Sequence, residues 1–256
     1  MAEIRPIEPT EADDFLAILC QVFSLDPGRA RAIFFSEPLF DLRRKWALFE
    51  GGRQVSILTT IPLEFGWGQA IGIAGVATRP ESRRKGLAAK LLAATVQASR
   101  EAGEKAAFLL ARETALYERC GFQTLDRVVS ARLDGVEAGE SPALPFEEVR
   151  SRYDCWSREH PDRLRRDERR WAYWRWNLRA CTEVDGGYVC VEGNAVRECV
   201  LNEPLPEWPV GTQRQWFGLS SMAESLRAPI ANPEPDLYLM GWNAPGVPQM
   251  FMTDQF

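Results

Sequence analysis

The pattern of apolar and polar residues changes sharply near the middle of the first half of the chain. Residues 71–78 form an apolar, β-branched run, which predicts a strand that ends before Pro80. Residues 87–98 then place an apolar side chain at every third or fourth position, which predicts a helix with one buried face. A strand, a short loop and a helix start in this order predict an anion site, because the first amides of a helix have no internal partners.

The loop between that strand and that helix is basic and then small. Arg83, Arg84 and Lys85 are followed by Gly86, and Ala88 stands two positions further on. The small residues keep the turn free of bulk, so a pyrophosphate could approach the backbone. A basic helix start is, taken alone, more often a solvated surface. Whether this loop indicates an anion site therefore depends on the segments around it.

The other residues up to 135 predict alternating helices and strands. Their order is strand, two helices, three strands, helix, strand, helix and strand. We place the first helix cap at Thr10, a hairpin turn at Gly51-Gly52, the end of the next strand at Pro62 and a further turn at 68–70. This pattern by itself supports an α/β protein with a mixed sheet.

The character of the chain changes after residue 135. Residues 136–145 are rich in Gly, Pro, Glu and Ser and predict a linker. Residues 146–180 look helical and carry four of the nine tryptophans, and the pattern beyond them predicts a hairpin, further strands and one short helix. We therefore predict a first domain at 1–135 and a second, smaller α/β region at 146–256.

Arginines and aromatic residues alternate in the segment 163–177. Such a segment could bind single-stranded nucleic acid by stacking and phosphate contacts. Helical spacing instead places Trp171 and Trp174 on one face, and the nearby Asp167 and Glu168 neutralise part of the charge. We favour packing between the two regions over nucleic-acid binding, and an oligomer interface or an acidic ligand remains a lesser alternative.

Composition narrows the function classes. The net charge is −5, which argues against a coat for nucleic acid or for an anionic membrane. The six cysteines show no Cys-x-x-Cys spacing and the chain has one histidine, so we expect no metal site. No signal peptide and no long apolar run is evident, which predicts a cytoplasmic protein without a membrane partner.

Two stretches resemble a known family. VATRPESRRKGLA, residues 76–88, resembles the acetyl-CoA loop of the GNAT N-acetyltransferases, whose signature Arg/Gln-x-x-Gly-x-Gly/Ala is here Arg83-x-x-Gly86-x-Ala88. AAFLLARETALYERCGF, residues 106–122, resembles the fifth strand and fourth helix of that family, with Tyr117 in the position of its acid.

The two-region organisation resembles the Eis-like acetyltransferases, in which an active GNAT domain precedes a GNAT-like domain without cofactor. Eis-like chains are usually longer and carry a further sterol-carrier-like domain. The second region is accordingly either a shortened, degenerate GNAT-like domain or an unrelated one.

The resemblance implies a GNAT fold with a mixed, mostly antiparallel sheet and an acetyl-CoA-dependent N-acetyltransferase. It implies direct transfer to a primary amine of a small molecule or peptide, with an amide of residue 76 or 77 stabilising the oxyanion. Tyr117 would protonate the departing thiolate, since its usual pKa near 10 is close to that of an alkyl thiol. The residues that the resemblance assigns to acetyl-CoA are Val76, Ala77, Thr78, Arg83, Arg84, Lys85, Gly86, Leu87 and Ala88.

The base that removes the proton of the amine stays open at this point. We consider Glu64 before the central strand, Glu113 before the tyrosine helix, and the chain-terminal carboxylate at Phe256, because Eis-like enzymes use that terminal carboxylate. Ordered water is a further alternative, and His160 is more readily explained as a surface residue. Cys120 has no histidine near it in sequence, so we expect no acyl-enzyme.

A second function class is an acyl-CoA-binding sensor or scaffold of GNAT fold without catalysis. The sequence leaves the amine substrate open, and a homo-oligomer is compatible with it.

Overall fold

The computed structural model describes residues 2–136, 143–177, 180–201 and 203–255. Its first part contains β1 (Glu3–Pro6), α1 (Ala12–Phe23), α2 (Pro27–Ser36), β2 (Lys45–Glu50), β3 (Arg53–Phe65), β4 (Gly68–Thr78), α3 (Leu87–Glu101), β5 (Ala106–Ala111), α4 (Ala115–Glu118) and β6 (Gln123–Leu133). This is the predicted order of elements.

The second part contains α5 (Phe146–Arg158), α6 (Glu168–Trp176), β7 (Cys181–Val184), β8 (Gly187–Glu192), β9 (Ala195–Val200), β10 (Arg214–Leu219), α7 (Ser220–Ser225) and β11 (Ile230–Trp242). The predicted hairpin corresponds to β8 and β9, which pair antiparallel.

All eleven strands form one sheet in the order β1-β2-β3-β4-β5-β11-β6-β10-β9-β8-β7. Only the pairs β4–β5 and β9–β10 are parallel, so the predicted mixed, mostly antiparallel α/β sheet is confirmed. The last strand, β11, lies between β5 and β6 and pairs with both. The second part of the chain therefore completes the sheet that the first part begins. The division at 136–145 stays a prediction, and residues 137–142 of that linker lie outside the described residues.

Three local predictions need correction. Thr10 lies within a 3-10 turn, where Glu8 and Glu11 cap each other reciprocally, and α1 begins only after Glu11. β3 continues through Pro62 to Phe65, because β2 begins at Lys45, opposite Thr59, and so leaves Pro62 without a β2 partner, where a proline is tolerated. The turn into the central strand is accordingly earlier than 68–70, and β4 already begins at Gly68.

The sheet is covered on both faces. One face packs its Ile71, Ile73 and Leu109 side chains against α3, whose buried residues include Leu91 and Leu92. The other face packs against α1 and α2 near β2, and further along against α5 and α6, where most of the buried tryptophans lie. In the described ranges no helix is long and apolar enough to cross a membrane.

The arginine-rich segment packs between the two parts of the chain. Trp171 and Trp174 are buried, as predicted. The guanidinium groups of Arg169 and Arg170 donate to backbone carbonyls of the 38–40 loop and of Pro62. The side chain of Arg166 is fully buried between two carboxylates from distant parts of the chain.

Candidate active site

The strands β4 and β5 separate towards their C-terminal ends. They pair in parallel from Ala70 and Ala106 up to Ile73 and Leu109. Beyond that point β4 continues to Thr78 and β5 to Ala111, and the described register contains no further pairing between them. A gap therefore opens between two central strands of the sheet.

A bulge in β4 lies beside this gap. Between the pairs Ile57–Ala77 and Thr59–Ala74, β4 carries one residue more than β3. Gly75 has a φ of 60°, and a Cβ there would lie 3.1 Å from the side chain of Leu19. Both the backbone conformation and the close approach of α1 favour glycine at this bulge.

The bulge changes which side chains face the gap. Ile73 and Val76 both lie on the α3 side of the sheet, although they are three residues apart, and Ala77 lies on the α1 side. In a regular strand Ile73 and Val76 would point to opposite faces. Residues 74–76 are partly exposed, and all three face the gap.

The basic loop folds over the end of β4. The Nε of Arg83 donates to the carbonyl of Thr78 at 3.2 Å. Arg84 and Gly86 both adopt left-handed backbone conformations, and Gly86 is the N-cap of α3. The first intrahelical bond runs from the Lys90 amide to the Gly86 carbonyl, so the preceding amides point out of the helix end without intrahelical acceptors.

A cavity of about 410 Å³ lies between this loop, the end of β4 and α4; we call it the loop cavity. It contains eight of the nine residues predicted to bind acetyl-CoA, the exception being Lys85. Its lining residues are Val22, Val76, Ala77, Thr78, Ser82, Arg83, Arg84, Gly86, Leu87, Ala88, Ala89, Leu116, Tyr117 and Arg119.

A second cavity, of about 520 Å³, fills the space between β4 and β5; we call it the gap cavity. Val76, Leu116 and Tyr117 line both cavities, so the two meet at the tyrosine. The other lining residues of the gap cavity are Phe23, Ile73, Ala74, Gly75, Leu109, Leu110, Ala111, Arg112, Glu113 and Leu237.

Tyr117 lies on α4 at the junction of the two cavities. Its ring packs edge-on against Phe122 at 6.3 Å between centroids. In the described part of the chain its hydroxyl makes no hydrogen bond and is left for a ligand atom. Burial, and to a lesser degree the nearby Cys120, raises the pKa of Tyr117 above 10. The hydroxyl therefore stays protonated, and able to donate, throughout the neutral range.

Cys120 follows Tyr117 by one helical turn. Burial raises the pKa of its thiol, which outweighs the opposite effect of Arg119. The thiolate, which is the nucleophilic form, is scarce at neutral pH.

The structure separates the candidates for the base. Glu64 pairs with Gln69 at the far end of β4, about 23 Å along the strand from Val76, and lines neither cavity. His160 is exposed beyond the end of α5 and also lines neither. Phe256 lies outside the described residues. Glu113 lines the gap cavity close to Tyr117, as the sequence alternative allowed.

Several lining residues escaped the sequence analysis. Val22 and Phe23 come from the end of α1, and Leu237 comes from β11, more than a hundred residues away in sequence. Leu116 and Arg119 flank Tyr117 on α4 and could have been inferred from it.

The sequence model of the acetyltransferase (GNAT) domain matches residues 3–125. These residues form a GNAT acetyltransferase domain. The GNAT domain contributes every lining residue of the loop cavity and all but Leu237 of the gap cavity. The prediction of a GNAT domain in the first part of the chain is thereby confirmed.

A relative from Streptomyces is also named an N-acetyltransferase. An uncharacterized N-acetyltransferase of Streptomyces griseus is 30% identical over 127 residues, which are 47% of this chain and 30% of that protein. The chain thus matches under a third of the length of this relative.

Two solved structures cover almost the whole chain. A GCN5-related N-acetyltransferase from Kribbella flavida has a TM-score of 0.70 at 17% identity, over 94% of this chain and 70% of that one. Eis1 from Mycobacterium abscessus has a TM-score of 0.65 at 13% identity, over 93% and 73% respectively. The likeness is one of fold, and it extends through both parts of the chain, as the Eis-like resemblance implied.

Proposed function

We propose that this chain is an acetyl-CoA-dependent N-acetyltransferase that acetylates a primary amine by direct attack in a ternary complex. The observation that carries the proposal is the position of Tyr117 where the loop cavity and the gap cavity meet. A thioester held in the first cavity and an amine held in the second would come together beside a hydroxyl that is able to donate a proton.

The loop cavity suits acetyl-CoA in its charge and in its backbone. The outward amides at the start of α3 and the guanidinium groups of Arg83 and Arg84 would hold the phosphates. The β4 backbone at 76–78, which borders this cavity, would hydrogen-bond the pantetheine arm, whose amides require such partners. Lys85 lies outside the cavity lining, and we assign it a more peripheral electrostatic role.

Acetyl-CoA supplies an activated acyl group, and the chain supplies the groups that respond to its charge. The amine nitrogen bonds to the thioester carbon as the carbon–sulfur bond breaks. An amide of Val76 or Ala77 would stabilise the negative charge on the carbonyl oxygen. Tyr117 would donate its proton to the departing thiolate, since the two groups have similar pKa values.

The amine must lose one proton before or during its attack. Glu113 is the carboxylate that lines the gap cavity, so we propose it as the acceptor, either directly or through water. We do not propose Glu64, because its place at the other end of β4 keeps it from the amine. The low thiolate content of Cys120 supports direct transfer without an acyl-enzyme.

A mass measurement tests this proposal. The protein is incubated with acetyl-CoA, with and without a panel of primary amines, and free CoA, acetylated amine and intact protein are measured. We expect CoA release and acetylated amine only when an amine is present, and no acetyl adduct on the protein. An adduct at Cys120 would overturn direct transfer. Binding of acetyl-CoA without transfer to any amine would favour a sensor or scaffold instead.

A further inference from the structure

The α1–α2 pair carries an unusual concentration of exposed apolar side chains. Phe23, Leu25, Ile33 and Phe35 are 41–47% exposed, and they make up four of the seven large apolar residues exposed in the described ranges. Such residues are normally scattered singly over a surface, and a cluster of them marks a site of contact.

This apolar surface leads towards the reacting centre. Leu25 and Ile33 line a cavity of about 450 Å³ between α1 and α2, which we call the α1–α2 groove. Phe23, two residues before Leu25, lines the gap cavity. Leu19 lines the groove and also contacts the bulge at Gly75. The groove and the gap cavity therefore adjoin at the end of α1.

The charges along this path are few. In the gap cavity Glu113 is the lining carboxylate, and the cation beside it, Arg112, pairs with Asp236 at 3.3 Å. A polycationic acceptor would need several carboxylates spaced to match its amino groups. The lining of the gap cavity contains one carboxylate, and the surface between it and the α1–α2 groove is apolar.

The two carboxylates of the α1–α2 groove already interact with other groups of the protein. Asp26 accepts the Arg29 amide at 2.7 Å as the N-cap of α2. Burial raises the pKa of Glu37, although Lys45 acts in the opposite direction. Arg29 lines the same groove and adds a positive charge. The remaining lining of the groove is mostly apolar and Arg29 repels a further cation, so the groove is suited to apolar groups rather than to a second ammonium.

We propose that the acceptor is a primary amine with one positive charge and an apolar body, of the alkylamine or arylalkylamine class. Its amino group lies between Glu113 and Tyr117, and its body passes over Phe23 into the α1–α2 groove. This inference rests on the proposed function, because it places the acceptor in the gap cavity opposite acetyl-CoA.

A homologous series of amines tests the proposal. CoA release is measured with the straight-chain amines from propylamine to octylamine, with phenethylamine, and with the polycations spermidine and kanamycin. We expect kcat/KM to rise about fourfold for each added methylene until the groove is filled, the ratio that corresponds to the burial of one CH₂. Spermidine and kanamycin should react more slowly than octylamine.

Two matched variants locate the apolar body. In Phe23→Ser we expect KM for octylamine to rise about tenfold and KM for propylamine to rise by a smaller factor. The affinity for acetyl-CoA should change little, because Phe23 does not line the loop cavity. Phe35→Ser is the control, because Phe35 is similarly exposed on α2 but lines neither the gap cavity nor the groove. Both side chains are exposed at the surface, so both variants should fold.

The outcomes separate this inference from the function on which it rests. Faster acetylation of spermidine or kanamycin than of octylamine would overturn the substrate class and leave the acetyltransferase intact. No CoA release with any amine would overturn both. An equal effect of Phe23→Ser and Phe35→Ser on octylamine would show that the apolar body does not lie in the proposed path.

Discussion

The basic loop of the GNAT domain and the arginines of the 163–177 segment use the same type of residue in opposite ways. Arg83, Arg84 and Lys85 are exposed at the mouth of a cavity. Arg166 has no exposed side-chain surface, and it bonds to Glu198 at 2.7 Å and to Asp254 at 2.6 Å.

All three nitrogens of the Arg166 guanidinium donate to buried acceptors. Its guanidinium lies 3.7 Å from the ring centre of Tyr153, and it also donates to Thr253. Tyr188, Trp174 and Thr253 complete the bonding of the Glu198 carboxylate. The charge of Arg166 is paired inside the folded protein, whereas the charges of the basic loop at 83–85 remain accessible to a ligand. A high density of arginine therefore indicates neither role until the partners are known.

The largest effect should come from breaking the buried cluster. In Arg166→Met, buried Glu198 loses its cation and Asp254 keeps only the longer pair with Arg170, at 3.9 Å. We therefore expect a loss of about 3–5 kcal/mol in the free energy of unfolding. For a chain of this size the melting temperature would fall by about 10 °C. Urea unfolding measures the change in the free energy of unfolding, and thermal unfolding measures the change in melting temperature.

Arg169→Met serves as the control for that variant, because Arg169 belongs to the same segment and its side chain is 47% exposed. The decrease in the free energy of unfolding of Arg169→Met should stay within about 1 kcal/mol. Similar stabilities for the two variants would contradict the structural role assigned to Arg166.

A smaller effect, on activity instead of stability, should follow from Tyr117→Phe. Loss of the proton donor should lower kcat about 100-fold, within the range typical of general acid catalysis. The affinity for acetyl-CoA and the melting temperature should stay close to wild type. Tyr188→Phe is the contrast: its hydroxyl bonds to buried Glu198, so that variant should lose stability and keep kcat. Equal losses of kcat in the two variants would remove Tyr117 as the acid.

The same assignment predicts a pH profile. Only the protonated phenol can donate, and the pKa of Tyr117 is raised above 10 by burial. The step that depends on this proton should therefore persist to about pH 10 and decline only above it. A decline of kcat with a midpoint between pH 7 and 9, under conditions where the protein stays folded, would point to a different donor.

The residues of the loop cavity were predictable because they are contiguous in sequence. A strand end, a basic turn and a helix start bring residues 76–88 together locally, so eight of nine assignments line the cavity. The element order was predictable for a similar reason, since period and turn residues are local signals.

Contacts between residues that are distant in sequence were not predictable. Glu64 precedes the central strand by a few residues, but the β3–β4 hairpin places it at the end of β4 remote from the gap. Leu237 reaches the gap cavity only because β11 inserts beside β5. The partners of Arg166 stand 32 and 88 residues away from it, and local spacing points to nearer acids instead. The spacing of apolar and polar residues along the sequence does not indicate these contacts between distant residues.

The most direct test of the central claim is thermal unfolding with and without acetyl-CoA, in wild type and in the triple variant Arg83→Gln, Arg84→Gln, Lys85→Gln. At about 100 times its dissociation constant, acetyl-CoA should stabilise wild type by roughly 2.7 kcal/mol, a rise of about 5–10 °C. The triple variant should bind about tenfold more weakly and show a smaller rise at the same concentration.

A second triple variant, with Arg43, Arg100 and Arg158 changed to Gln, removes the same charge from exposed positions outside the loop cavity. It should respond to acetyl-CoA as wild type does. No rise in wild type, or an undiminished rise in the loop variant, would contradict the assignment of this loop as the acetyl-CoA site.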